Sequence, residues 1–286
     1  MFFKKKKKYS GAEVGQFYDE NNHKFVQVYG DLIQAFRTND PKDLLQMEFD
    51  SMGLTDGMKV LDAGCGVGFP AIFFASKANI EIDAVSVSKV QVNEARKKVD
   101  ESNLAKKVKV HHADYHDLNN HLEKGTYDLV YFLESFGHSS NKEKLLSSVN
   151  EMLKPGGSVY IKDLFRKVGS DEKMQKRIDK EIDKINEAYR YEVADLNEFL
   201  NICRSMGFIV EFLQAFDIPL DKFENLSISN EFQVLTGIGK IEDWDSYVFP
   251  VDFFELKLMK PNVDLEANTG RYYLQSLFNK LGQNDN

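Results

Sequence analysis

The run Val60-Leu61-Asp62-Ala63-Gly64-Cys65-Gly66-Val67-Gly68-Phe69 decides how this 286-residue chain is read. A short apolar stretch ends in an acid and turns through three alternating glycines into residues of helical texture. That pattern is a strand, a tight loop and a helix, with backbone free to approach a ligand closely and Asp62 at the strand's carboxyl end. The spacing is G-x-G-x-G. Phe69 stands where a dinucleotide loop would carry its third glycine, and no Gly-Lys-Ser/Thr follows, so neither a dinucleotide nor a Walker phosphate loop is met.

Outward from this loop, short apolar runs alternate with helical stretches, the mark of a parallel sheet with crossover helices. Strands are expected at Val60 to Asp62, Ile80 to Val85, Val108 to Val110, Leu129 to Phe132 and Ser158 to Ile161. Two later ones are expected from Phe208 and over Phe253 to Leu258. Val90 to Val99 and Leu145 to Leu153 read as helices, and Lys154-Pro155-Gly156-Gly157 as the turn into the fifth strand. The expected fold is α/β: a Rossmann-like, seven-stranded, mostly parallel sheet flanked by helices, with an added helical cover over the active site.

The cover is read from two regions. Gly11 to Arg37 carries aromatics at spacings for one or two amphipathic helices, and Asp40-Pro41 starts another. Met174, Ile178, Ile182, Ile185 and Tyr189 make one apolar stripe on a charged helix, which must lie across something apolar. Leu196 to Met206 is a further helix, closed by Gly207, and Tyr272 to Lys280 a terminal one. The division is a disordered basic tail over 1–10, a helical cover over 11–55, and a main domain over 56–286 with a helical insertion at about 170–192.

Acidic residues outnumber basic ones, 45 to 37. Setting aside the run Lys4 to Lys8 leaves 32 basic residues against the same 45, so the body is acidic and ill suited to tracking nucleic-acid phosphates. Two cysteines, Cys65 and Cys203, make no disulfide framework and no protein-only zinc site, which fits a reducing, cytoplasmic setting. No apolar stretch is long enough to cross a bilayer, and no apolar segment follows the basic start, so stable membrane insertion is not expected. His111, His112, His116 and Asp117 read as polar surface, and no metal is expected.

The glycine loop resembles the first motif of the class I S-adenosylmethionine-dependent methyltransferases. The resemblance covers residues 12–165 and implies S-adenosyl-L-methionine as cofactor, leaving S-adenosyl-L-homocysteine. Asp62, Gly64, Cys65, Gly66 and Gly68 would then cradle the methionine end. The family's usual ribose-binding acid after the second strand is missing. Instead Val85-Ser86-Val87-Ser88-Lys89-Val90-Gln91 resembles the segment of the sterol, cyclopropane-fatty-acid and terpenoid C-methyltransferase branch. Ser86, Val87 and Gln91 are accordingly expected at the cofactor, with Asp83 as an alternative ribose partner. Ala113-Asp114-Tyr115 matches the adenine-binding position, so Asp114 would accept from the adenine amino group and Tyr115 border the ring.

The fourth strand ends in Leu133-Glu134-Ser135-Phe136-Gly137-His138, which resembles the E-A-x-x-H segment of sterol C-methyltransferases. Leu133 is expected at the cofactor. Glu134 would stabilise a carbocation in C-methylation, or only hold the cofactor or cap a helix. His138 would serve as general base for a hydroxyl acceptor, or be a satisfied helix residue. Tyr18 falls where this branch sets an aromatic over the cofactor, and Tyr29, Phe136 and Tyr189 are candidate substrate contacts. The expected acceptor is small and largely apolar, of sterol, terpenoid or polyketide type, with C-methylation favoured and natural-product O-methylation as the alternative. A non-catalytic S-adenosylmethionine-binding module is the reading of another class. Nucleic acid is not an expected partner, and a homo-oligomer is left open.

Overall fold

A computed structural model describes residues 8–219, 221–222 and 247–262. The first helix, α1 (Gly11–Tyr29), opens on a capping box in which Ser10 and Glu13 satisfy each other's backbone amides. The aromatic segment therefore forms one helix and not two. Residues 30–40 follow as an irregular strap of turns and bends, pinned where Arg37 donates to the carbonyls of Tyr29 and Leu32. Asp40 then caps α2 (Pro41–Met52), with Pro41 in the first turn as expected.

The sheet begins with β1 (Lys59–Ala63), α3 (Phe69–Lys77), β2 (Glu81–Ser86), α4 (Lys89–Glu101) and β3 (Val108–His112). It continues through β4 (Tyr127–Leu133), α5 (Lys142–Met152) and β5 (Leu153–Arg166). After α6 (Glu172–Tyr189) and α7 (Leu196–Ser205), β6 (Ile209–Ala215) and β7 (Val251–Met259) close it. The strand order is β3-β2-β1-β4-β5-β7-β6, with β7 antiparallel to both neighbours. This is the Rossmann-like architecture of class I methyltransferases with an extra helical cover. The order reverses between β1 and β4, which places a crevice at their carboxyl ends.

Every residue of β1 after Lys59 is buried, because helices cover both faces. One layer gathers Val60, Phe74, Ile82, Val92 and Tyr131, the other Leu61, Val130, Phe132, Val149 and Ile161. Each such side chain contributes roughly 1.5–3 kcal/mol by leaving water. The stripe on α6 packs as its spacing predicts: Ile178 and Ile182 sit with Val193 and Val251, bordered by Met174, Ile185 and Tyr189.

Two differences from the sequence reading have plain causes. The fifth strand starts at Leu153, because Gly156 and Gly157 exchange backbone hydrogen bonds with Lys260, the residue that follows β7, so the expected turn is part of the sheet. At the start of the chain, Tyr9 is buried with the Arg190 guanidinium over its ring, and Lys8 donates to the carbonyl of Ser140. Lys8 and Tyr9, read as part of the tail, are thus in contact with the body of the chain. The expected helix over 272–280 and residues 1–7 lie outside the described residues.

Candidate active site

The carboxyl ends of β1, β2, β3 and β4 and the underside of α1 enclose a cavity of about 660 Å³, counted with its open mouth. The glycine loop forms its floor. Gly64 and Cys65 both donate to the carbonyl of Val85, which folds the loop toward β2. Gly64 has φ +113°, and a Cβ there would lie 2.4 Å from that of Ser135. Only glycine fits. Ser135 covers the loop and donates to the carbonyl of Ala63 at 2.6 Å.

Of the loop residues expected at the cofactor, Gly64 and Gly66 line the cavity, whereas Asp62, Cys65 and Gly68 do not. Asp62 is buried behind the wall and accepts from the Tyr131 hydroxyl at 2.8 Å. Burial pushes its carboxyl up to about 7, against the opposing hydrogen bond. Gly68 is the N-cap of α3, and the Cys65 thiol lies against the Gly66 carbonyl.

Ser86, Val87 and Gln91 line the wall at the end of β2. The Ser86 hydroxyl donates to Gln91 Oε1 at 3.0 Å, so a neutral pair stands where an acid would be expected. Asp83 is not available as a substitute. It lies inside β2, bonded by His111 Nε2 at 2.7 Å and the Tyr127 hydroxyl at 2.9 Å. Burial would raise its carboxyl, but these bonds outweigh burial and hold it low.

Asp114 and Tyr115 line the cavity after β3, and so does His116. Taking His116 as polar surface was wrong: it is inserted between Asp114, at 2.6 Å, and Ser139, at 2.7 Å. Among the described residues no group of three His, Cys, Asp or Glu side chains gathers in a way that could hold a metal ion.

The β4 end is the most heavily bonded part. Leu133, Glu134 and His138 all line the cavity. Glu134, with φ +51°, accepts from the backbone of Ala35 at 2.6 Å and Phe36 at 3.2 Å, and from Lys162 Nζ at 2.7 Å. Lys162 is 0% exposed and also donates to Gln34 and to the Phe36 carbonyl, with Glu48 at 3.5 Å. Glu134 therefore fastens the strap to the sheet.

His138 is held from both sides. Its Nδ1 is 3.2 Å from the carbonyl of Arg190, the residue that closes α6, so that nitrogen carries the proton. Nε2 is then an acceptor, 2.9 Å from the Tyr18 hydroxyl. Burial lowers the imidazole to about 4, against the bond to Arg190. Asp163 and Tyr191, which the sequence reading passed over, set this turn. Asp163 accepts from the Gly137 amide and the Tyr191 hydroxyl, and a Cβ on Gly137 would lie 1.7 Å from the Tyr191 ring.

The three expected substrate contacts do not line the cavity. Phe136 is core, with Phe199 at 4.6 Å and the Lys142 ammonium over its ring. Tyr29 and Tyr189 share a hydrogen bond in the aromatic cluster formed by α1 and α6. Tyr18 lines the cavity from that cluster, stacked on Phe25 at 4.9 Å.

Residues 60–157 match the profile of a methyltransferase domain. The chain is similar to a methyltransferase domain over 98 of its 286 residues. It is 27% identical over 162 residues to methyltransferase GfsG of Streptomyces halstedii, covering 53% of this chain and 58% of that protein. It is 26% identical over 170 residues to O-methyltransferase rstn1 of Aspergillus nomiae, covering 56% and 75%. The chain thus spans only part of the length of the curated relatives it matches. The cyclase SpnF shares the fold, with a TM-score of 0.73, 19% identity and coverage of 89% and 97%. Matches extend across O-, N- and C-methyltransferases, so the resemblance to a single C-methyltransferase lineage is too narrow.

The cavity fits S-adenosylmethionine: a floor that excludes side chains at Gly64, polar groups at the ends of β2 and β3, and an aromatic edge at Tyr18. Among the described residues no helix is long and apolar enough to cross a membrane.

Proposed function

We propose that the chain methylates a hydroxyl of a small, largely apolar organic acceptor, with His138 as general base. The observation that carries this reading is the tautomer of His138. With Nδ1–H on the Arg190 carbonyl, Nε2 presents a lone pair at the cavity wall, and burial keeps the ring neutral. Several matched relatives bear the name O-methyltransferase, which supports oxygen as the target. Glu134 supports it too: its carboxylate already serves Lys162 and two strap amides, which leaves little for a carbocation.

Gly64 and Gly66 would hold the methionine end, Ser86 and Gln91 the ribose, and Asp114 and Tyr115 the adenine. When bound, S-adenosylmethionine supplies an electrophilic methyl on a sulfonium. His138 Nε2 would take the acceptor's hydroxyl proton, while the methyl's bond to sulfur would break in favour of that oxygen and leave S-adenosylhomocysteine. Tyr18 must give up its bond to Nε2 to admit the acceptor, so it marks the acceptor's place. The aromatic cluster excludes water and favours apolar partners.

Isothermal titration with S-adenosylhomocysteine, together with labelled methyl transfer to a panel of phenolic and polyketide-type hydroxyls, tests the reading. His138→Asn should lower turnover by about 10²–10⁴-fold, the usual contribution of a positioned base. Its affinity for S-adenosylhomocysteine should stay within about twofold, because the proposed role gives the ring to the acceptor's hydroxyl and not to the cofactor. Full turnover in His138→Asn, or methyl found on carbon, would remove the base from the mechanism.

A further inference from the structure

Methyl transfer gives His116 no task, yet four hydrogen bonds organise it and its neighbours. The Asn141 amide, at the N-cap of α5, donates to Ser139 Oγ at 3.2 Å. The Ser139 proton is then directed to His116 Nε2, 2.7 Å away. His116 Nδ1 donates to Asp114 Oδ1 at 2.6 Å, and the His116 amide donates to the same oxygen at 2.9 Å. The connectivity is that of a hydrolytic serine, histidine and acid relay. Ser139, however, is 0% exposed and is not among the residues that line the cavity, so it presents no nucleophile there.

The chain of bonds ends on Asp114, at the cavity wall. With Oδ1 occupied twice, Oδ2 is the carboxylate oxygen left without a hydrogen bond from the described residues. It abuts α1, where a Cβ on Gly11 would lie 2.0 Å from it. Burial alone would raise this carboxyl, but the two bonds from His116 outweigh it and hold Asp114 below the ordinary range, ionised at neutral pH. An ionised carboxylate only accepts. A ligand group opposite it must donate, and a carbonyl oxygen there is repelled.

We propose that His116 is a positioning residue which, by fixing Asp114, makes the nucleoside end of the site selective for a 6-aminopurine over a 6-oxopurine. This deepens the cofactor reading above and rests on it. The same bonds tie the segment after β3 to Ser139, which adjoins the turn carrying His138, so the two ends of the cavity share one support.

The test is isothermal titration with S-adenosylhomocysteine and with S-inosylhomocysteine, its 6-oxo counterpart. Wild type should prefer the amino form by about tenfold or more, the worth of one hydrogen bond to a charged group. His116→Phe removes both ring nitrogens and should shrink that ratio at least about fivefold. His116→Asn keeps a donor near the Nδ1 position and should restore most of it. A merely structural role would lower both affinities together and leave the ratio alone. Ser139→Ala is the second variant should His116→Phe fail to fold, and it should shrink the ratio in the same direction. A folded His116→Phe with the wild-type ratio overturns this inference while the cofactor reading stands. A wild-type chain that binds neither ligand overturns both.

Discussion

The two halves of the sheet's carboxyl edge are built on opposite plans. On the β1, β2 and β3 side, the wall is backbone and neutral polar groups: the glycine loop, the Ser86 and Gln91 pair, and one acid, Asp114, held by its neighbour. On the β4 and β5 side, charged groups are buried and spent on one another. Lys162, Glu134, Glu48 and Asp163 are bonded to the strap, to each other and to the His138 turn. The first half leaves its polarity facing open space, where a ligand can use it. The second half uses its polarity to hold a cover in place. Glu134, the carboxylate that stands out most in the sequence, belongs to the second plan.

The largest expected effect follows from that contrast. Lys162→Met leaves Glu134 and Glu48 buried without a cation and should cost about 3–5 kcal/mol in urea unfolding, as broken buried pairs do. Glu134→Gln should cost less, because the amide oxygen still accepts from one of the two strap amides. A loss below about 1 kcal/mol in Lys162→Met would place these charges in water and dissolve the distinction between the halves.

Next comes a pH dependence confined to the covered half. Burial raises the Glu48 carboxyl from 4.5 to about 7, against Lys162 and Gln34. Between those values the folded chain binds more protons than the unfolded one, so this group's contribution falls as pH rises through the window and is level above it. Asp62 and Asp163, raised by burial to about 7 and about 6, act with the same sign. His138, lowered to about 4, acts with the opposite sign, since the unfolded chain takes up that proton first as pH falls below 6.5. Comparing Glu48→Gln with wild type isolates the first term. The variant should gain on wild type between pH 5 and pH 8, by on the order of 2 kcal/mol. A constant difference across that range would mean that Glu48 is ionised throughout.

How much of this was legible in the sequence also divides along the two halves. The cofactor half is local: β1 and its loop, the Ser86 to Gln91 segment and Asp114 each lie in one short run whose periodicity and glycines report their surroundings. The covered half is built from residues far apart in the chain. Gln34 and Lys162 are separated by 128 positions, and nothing near Gln34 announces a buried partner. One signal was present. Lys162 and Asp163 interrupt an otherwise apolar strand between Ile161 and Leu164, and charges placed there need buried partners. His116 was misread for the same reason, its partner Ser139 lying 23 residues on. The aromatics were legible as a cluster but not by direction, so Phe136 was taken for a substrate contact when it faces the core.

Gly64→Ala probes the open half. The backbone there has φ +113°, and the new methyl would meet Ser135, so strain of about 1–3 kcal/mol is expected. The loop should shift and S-adenosylhomocysteine binding weaken by about tenfold or more, equivalent to about 1.4 kcal/mol. Retained affinity would move the cofactor away from this loop.

The smallest effect asks whether the cover is attached on one side or on both. Asp19 on α1 accepts from the Ser88 hydroxyl at 2.6 Å and the Val90 amide at 3.0 Å, so one helix caps the first turn of another. Ser88 itself caps the Gln91 amide, and the neighbouring pair Asn22 and Glu94 adds a bond at 2.7 Å. Asp19→Ala should therefore cost about 1 kcal/mol, the usual worth of a cap. The sharper reading is hydrogen exchange. If α1 is tied to the open half through α4, its amides should exchange faster in the variant while those of β1 and β4 stay protected. If they do not, the cover hangs from Glu134 and Lys162 alone, and α1 can lift from the cofactor half while the strap stays fastened.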